Sequence, residues 1–532
     1  MASLLPPRPG RIALASLAAL AIATTIAAVL IAILFAARDA QPTARVPIDL
    51  WHLLRMSALQ AAISTALSLL AGMALAWSLD RLRFRGRELM VGLFATAIVT
   101  PGIVVAFGLL TVWGRNGWIN RAAETLFGTP LGNFAFGLFG IVLAHVVLNA
   151  AFAARILYAR LETVPANRLK LGQSLGLDPW RRFRHIDWPA MSGALPGLGA
   201  IIFLLTFTSF PIVLLLGGGP ANQTLEVAIF TAVRQNFDLP GAVQLALVQI
   251  LIATAIVAFA SALPAVPSQL GRMRHIAWSE ALPVRALAII VLAGFALVFI
   301  TPLIAILVDG LGPTLPQLFA RPAFWRALGT SLAIGSTSAL LTIIIALILA
   351  LGRAATPSNM LRLGIGLPAY AYLAAPAVVL SLGFFLLVRN AGIAPANAAP
   401  AVVITANALL ALPFAMATLA PPLETLAKTR GRLIRSLGIG GWRQLRAVEL
   451  PLLGRDIGVV IALAFCFSLG DLGVIALFGT QDFETLPLMM YRALGSYRST
   501  DAASIAAVLL LLTLVAFIAI PRIVERLTHA RG

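Results

Sequence analysis

Twelve apolar runs govern what this chain can fold into, each close to the roughly 20 residues that a helix needs to cross a bilayer. They lie near 12–37, 56–79, 89–113, 134–154, 192–216, 242–264, 286–308, 328–352, 363–388, 399–420, 456–480 and 502–521. Of the 532 residues, 60% are hydrophobic and 11% charged, whereas a soluble domain carries about 25% charged residues to cover its surface. Lipid as solvent removes that conflict, and there an open chain satisfies its own backbone only as helix. The expectation is an all-α membrane protein with about twelve transmembrane helices. The first run holds no charge between Arg11 and Arg38; it exceeds a secretory core and lacks a clear cleavage signature, so it reads as a retained helix. One cysteine, Cys466, excludes an intrachain disulfide framework, and five scattered histidines form no HExxH or HxH pair, which argues against catalytic zinc.

A net charge of +19 raises nucleic acid as a partner, and its placement argues otherwise. With both termini set in the cytoplasm, 28 of the 39 Lys and Arg fall in cytoplasmic segments. This is the positive-inside bias of an inner-membrane protein. The basic excess reads as a topology signal, with the bilayer rather than nucleic acid as partner.

Residues 161–189 recur at 423–451 without a gap. Leu161, Glu162, Thr163, Arg168, Ser174, Leu175, Gly176, Trp180, Arg181, Arg184 and Pro189 all reappear 262 positions later. Upstream, the stretch from Trp51 resembles that from Trp325; downstream, Thr224-Leu225 resembles Thr485-Leu486. The expected organisation is two tandem homologous halves, 51–264 and 325–525. An N-terminal helix and external segment (1–50) precede the first half, and a linker plus extra helix (265–324) precede the second. Six spans per half keep a parallel repeat in one orientation.

The repeated segment falls on the cytoplasmic side, between the fourth and fifth spans of each half. A polar helical stretch leads to Ser174-Leu175-Gly176 or Ser436-Leu437-Gly438, then to a basic stretch opened by Trp180-Arg181 or Trp442-Arg443 and carrying Arg184 or Arg446. Gly176 and Gly438 suit a turn with positive φ, and Pro189 and Pro451 suit the start of the next span. A basic amphipathic loop can simply lie on headgroups; two near-identical copies suit docking to two equivalent partners instead.

The spacing E-x(13)-G-x(12)-P, at Glu162, Gly176 and Pro189 and again at Glu424, Gly438 and Pro451, resembles the EAA loop of bacterial binding-protein-dependent importer permeases. The alanines that name the motif are replaced by Thr163-Val164 and Thr425-Leu426. The resemblance implies the type I importer permease fold and a coupling helix in each segment that docks into a cytoplasmic ATPase, whose surface would hold Glu162 and Glu424. It also implies two ATPase copies, which bind the ATP and Mg, and a periplasmic substrate-binding protein. The stretch 467–498, with VWGRNGW at 112–118, LLLGGGP at 214–220 and ALVQI at 246–250, is similar to the fused permeases for thiamine and thiamine pyrophosphate. Fused iron(III) permeases share the layout, which leaves thiamine, its phosphates or iron open as the small-molecule cargo.

No cofactor is expected on this chain, because neither lysine, Lys170 nor Lys428, sits in the G-x-x-x-x-G-K-[ST] loop that cradles phosphates. The chain is therefore not expected to be an enzyme. Asp471 is the acid placed well inside a predicted span, where a carboxylate costs about 2.5–3.5 kcal/mol on insertion scales. It either lines the pathway or makes a structural hydrogen bond; Ser209 is its partner position in the first half, and Phe478 lies beyond it. An ion-coupled secondary transporter would need more intramembrane ionisable groups than these.

Overall fold

The computed structural model describes residues 9–39, 49–132, 134–261, 278 and 280–529. Residues 40–48 of the expected external segment and most of the expected linker, with Pro267, Arg272 and Arg274, lie outside the described residues. Among the described residues the regular structure is helical and there is no strand. Ten helices among the described residues are long and apolar enough to cross a membrane, or up to twelve if each of two bent pairs counts as one span. The protein is a multi-pass membrane protein.

Four of the twelve apolar runs are broken helices rather than straight spans. The run at 89–113 divides into Arg87–Thr96 and Gly102–Trp113, and the run at 363–388 into Asn359–Ala371 and Ala377–Asn390, the latter pair bent by 101°. Pro101 and Pro376 sit at the breaks, each capping the helix that follows. Proline lacks the N–H that would continue the ladder, and it biases the preceding residue away from helical geometry. The run at 192–216 divides into Leu195–Phe207 and Pro211–Leu216, and the run at 456–480 into Leu450–Leu469 and Ile475–Phe478. Hydropathy counts apolar residues without registering where the backbone turns.

The chain divides into two compact units. One gathers Met1–Ile48, Ala228–Thr254 and Pro313–Gly532, and the other Asp49–Val227 with Ala255–Gly312. The leading helix Pro9–Asp39 thus packs with the C-terminal bundle, against Pro322–Ala355, Asn359–Ala371 and Ala377–Asn390. Its buried residues Ala15, Ala19, Ile22, Val29 and Ile33 recur at helical spacing and make one face. Small residues let that face approach closely: a Cβ added to Gly352 would stand 2.1 Å from the Ala15 Cβ, and one on Gly383 would stand 2.4 Å from Val29. Close approach of this kind is how membrane helices gain contact where lipid offers no hydrophobic drive.

In the other unit, the mid-chain helix Leu282–Gly310 packs against Leu50–Arg81 and Gly102–Trp113. Phe94 meets Phe295 and Phe299 edge-on at 5.6 and 6.1 Å. Each extra helix therefore packs on the half that it does not immediately precede in the chain.

Within each unit one serine closes a matching long-range bond. Ser57 Oγ accepts from Leu225 N at 3.0 Å, and Ser331 Oγ accepts from Leu486 N at 2.8 Å. These are the positions paired by the sequence repeat.

Gly352→Ala is expected to destabilise the protein by about 1–3 kcal/mol through overpacking. Gly329, on the same helix with nothing within 4 Å of an added Cβ, should accept alanine without loss. Apparent melting temperatures of the two variants in detergent check the contrast.

Candidate coupling segments and pathway residues

The first repeated segment begins where the helix Gly137–Leu161 ends. Pro165 then caps a short helix, Ala166–Ser174. In the second copy Ala427 stands at the Pro165 position, and the helix Pro395–Ser436 runs unbroken to the turn. The two turns are alike to the level of single bonds. Gly176 and Gly438 take φ of +60° and +66°, the left-handed region that only glycine enters without strain. Leu177 N bonds Gly172 O at 3.1 Å, and Ile439 N bonds Ile434 O at 3.1 Å, the six-residue closure that ends helices at such a glycine. Ser174 and Ser436 each turn the hydroxyl back onto a carbonyl, Leu171 O and Leu433 O.

Short helices follow, Pro179–Arg182 and Gly441–Gln444, each continued by one π turn, Phe183–Asp187 and Leu445–Glu449. Trp180 and Trp442 open these elements with 67% and 71% of their surface exposed. Trp180 stacks on Phe183 at 5.8 Å. Arg181, Arg184, Arg443 and Arg446 are exposed around them. The two glutamates of the motif are engaged inside the chain: Glu162 accepts from Tyr158 Oη at 2.8 Å, and Glu424 pairs with Arg353 at 3.1 Å. The tryptophans and arginines of the two segments are thus exposed, while the glutamates are engaged within the chain.

At the foot of each segment lies a buried charge cluster that sequence reasoning missed. In the first, Asp187 pairs with Arg81, and Arg81 also reaches Glu280 at 3.0 Å. Arg182 pairs with Asp80 at 3.1 Å and with Glu280, and the Trp278 ring lies 4.3 Å from its guanidinium carbon. The Arg81 side chain is fully covered, and the other four are nearly so. Burial raises the Glu280 carboxyl above its ordinary value against the pull of Arg182. Removing one member of such a cluster costs about 3–5 kcal/mol, because it strands a buried charge. In the second segment, Glu449 takes the place of Asp187. Arg11 of the leading helix bonds both of its oxygens, at 2.7 and 3.0 Å, and Gln444 bonds one.

The members lie up to 438 residues apart in the chain, and no local pattern pairs them. A usable signal was the recurrence of an acid, Asp187 and Glu449, 262 positions apart and just before the prolines that open the next spans.

The pathway candidates fall at the broken spans. Ser209 sits in the break between Leu195–Phe207 and Pro211–Leu216, with its N–H on Thr206 O at 3.3 Å. Asp471, in the other unit, caps the short helix Ile475–Phe478: its carboxylate accepts from Val474 N at 3.2 Å and from Ile475 N at 3.3 Å. Both bonds fall within its own segment, three and four residues along the chain. Phe478 is 3% exposed and meets Phe385 edge-on at 6.1 Å, which makes it part of the packing of its bundle. Asn407 bonds Ser468 at 2.9 Å just before the break.

No family model matches the chain. Full-length relatives do. It is 37% identical over 488 residues to the thiamine transport system permease protein ThiP of Salmonella typhimurium, covering 91% of this chain and 90% of that protein. The ThiP of Escherichia coli K12 is 36% identical over 483 residues, with 90% of each chain covered. That of Haemophilus influenzae is 34% identical over 474 residues, with 88% of each covered. Collinear identity of this extent, in a chain with ten to twelve helices among the described residues long and apolar enough to cross a membrane, establishes that the protein belongs to the family of thiamine transport system permeases.

Proposed function

We propose that the chain is the membrane permease of an ATP-driven importer that carries thiamine, or its phosphates, across the bacterial inner membrane. The observation that carries this reading is the 34–37% identity to thiamine transport permeases along about nine-tenths of the chain. Both termini face the cytoplasm, in keeping with the concentration of Lys and Arg in the segments that this orientation places inside. A periplasmic binding protein delivers the substrate, and a separate cytoplasmic ATPase supplies the energy.

The segments Glu162–Pro189 and Glu424–Pro451 are the docking sites for two ATPase copies. Their near-identity in turn geometry and hydrogen bonding suits two identical partners. Exposed tryptophan beside arginine is the composition of an interface hot spot. Glu162 and Glu424 hold the docking surface to the bundle through Tyr158 and Arg353. Closure of the ATPase dimer on ATP then tilts each bundle as a body and switches access from one side to the other.

Asp471 shapes the pathway indirectly. A carboxylate that caps a helix within a broken span holds the break open to a defined geometry, at a depth where uncapped amides would cost several kcal/mol.

Trp180→Ala combined with Trp442→Ala should lower ATPase co-purification by at least about tenfold, as the loss of two hot-spot residues implies, while the permease itself remains folded by size-exclusion chromatography. Asp471→Asn, which preserves a good helix-capping group, should retain most uptake; Asp471→Ala should cost about 1 kcal/mol of stability and depress uptake. Proteoliposomes holding the chain, its ATPase and its binding protein should take up labelled thiamine only with internal ATP. Competition by thiamine pyrophosphate would place the phosphates in the substrate range, and competition by ferric citrate instead would overturn the substrate assignment.

A further inference from the structure

The two buried charge clusters share one feature that neither the helix turns nor the docking surface requires. Each is completed by a residue at the start of an extra helix. In the C-terminal bundle that residue is Arg11, on the first turn of Pro9–Asp39. It grips both oxygens of Glu449 at 2.7 and 3.0 Å and also reaches Gly441 O at 3.3 Å. One guanidinium therefore ties the start of the short helix that carries Trp442 to the end of the π turn that follows it.

In the other unit the same place is taken by Trp278 and Glu280, just before Leu282–Gly310. Glu280 bonds Arg81 and Arg182. Trp278 covers Arg182 and packs into the small core of Val164, Leu169, Ile186 and Leu177 that closes the first segment on itself. The chemistry differs, a cation from outside in one copy and an anion with an aromatic ring in the other, and the position is equivalent.

We infer that Arg11 and the Trp278–Glu280 pair are latches that fasten the ends of the two extra helices to the coupling segments, and that they position those segments for force transmission. A docked ATPase then moves each bundle along two routes. One runs through the span that continues directly from the segment, and the other through the extra helix latched beside it. Bidentate arginine on a buried carboxylate suits this task, since the planar fork fixes orientation as well as distance. Arg11 and Glu280 are positioning residues and touch no substrate. The inference rests on the proposal that these segments dock the ATPase.

The test uses the reconstituted transporter with its ATPase and binding protein. Arg11→Met should leave ATPase co-purification and basal ATP hydrolysis near wild type. Uptake per ATP hydrolysed should fall by about tenfold, within the usual range of coupling between sites. Glu280→Gln should act in the same direction, and Arg11→Glu with Glu449→Arg should restore coupling to the Arg11 variants. Uptake per ATP that stays at the wild-type value in folded Arg11→Met would overturn the inference, as would a fall matched by equal loss of co-purified ATPase, the mark of a merely structural role.

A second measurement does not depend on transport. Spin labels at Leu14 and Leu437, both exposed, in a chain whose one native cysteine, Cys466, is buried, report the distance between the leading helix and the segment. It should be the same without nucleotide and with trapped ATP, whereas a shift of about one helical turn, ~5 Å, would show the helix sliding over the segment and end the proposal. Should the wild-type chain retain no ATPase at all, the docking assignment fails first, and the two failures are told apart.

Discussion

Inside a bilayer no water is at hand to bond a free amide or carbonyl, and every other feature of this protein answers to that constraint. It makes the apolar runs helical wherever they are not broken. It also decides how a span can break. The break before Ile475–Phe478 is tolerated because the Asp471 carboxylate takes up the amides of Val474 and Ile475. The junctions at Leu225 and Leu486 are tolerated because a serine from a distant helix takes up an amide there. Breaks at Pro101 and Pro376 use the residue that has no amide to leave unbonded.

The same scarcity of solvent governs charge. Asp187 and Glu449 sit just where a segment passes into its following span, and neither could be buried there alone. The chain meets the requirement by importing partners from far along its length: Arg81, itself paired with Glu280, in one case, and Arg11 in the other. Because Arg11 and Glu280 arrive on or beside the extra helices, the electrostatic requirement and the helix arrangement are solved together. The leading helix is held along its face by contact at Gly352 and Gly383 and at its end by Arg11.

Much of the functional architecture was legible from one dimension. The two repeated segments stand out because their spacing recurs at a constant 262 residues, and the turn at Gly176 or Gly438 because glycine is the residue that a positive φ selects. The partners of Glu162 and Glu424 were not legible: a carboxylate in a basic loop looks available, and only the positions of Tyr158 and Arg353 show it occupied. Phe478 similarly reads as a pathway residue by its place in a span and turns out to be packed against Phe385. Solvent-facing and core-facing residues cannot be separated by polarity when lipid makes both apolar.

Sequence alone determined the solvent, the class of backbone and the presence of two equivalent segments, since these depend on composition, run length and repetition, which are properties of residue order. Tertiary structure decided which bundle each extra helix joins, where the long apolar runs bend, and which charges neutralise one another. Those outcomes depend on close approach between residues hundreds of positions apart: a missing Cβ at Gly352 opposite Ala15, or an arginine at position 11 within bonding distance of Glu449. Such pairings arise from steric fit and desolvation in three dimensions, and they leave no period along the chain.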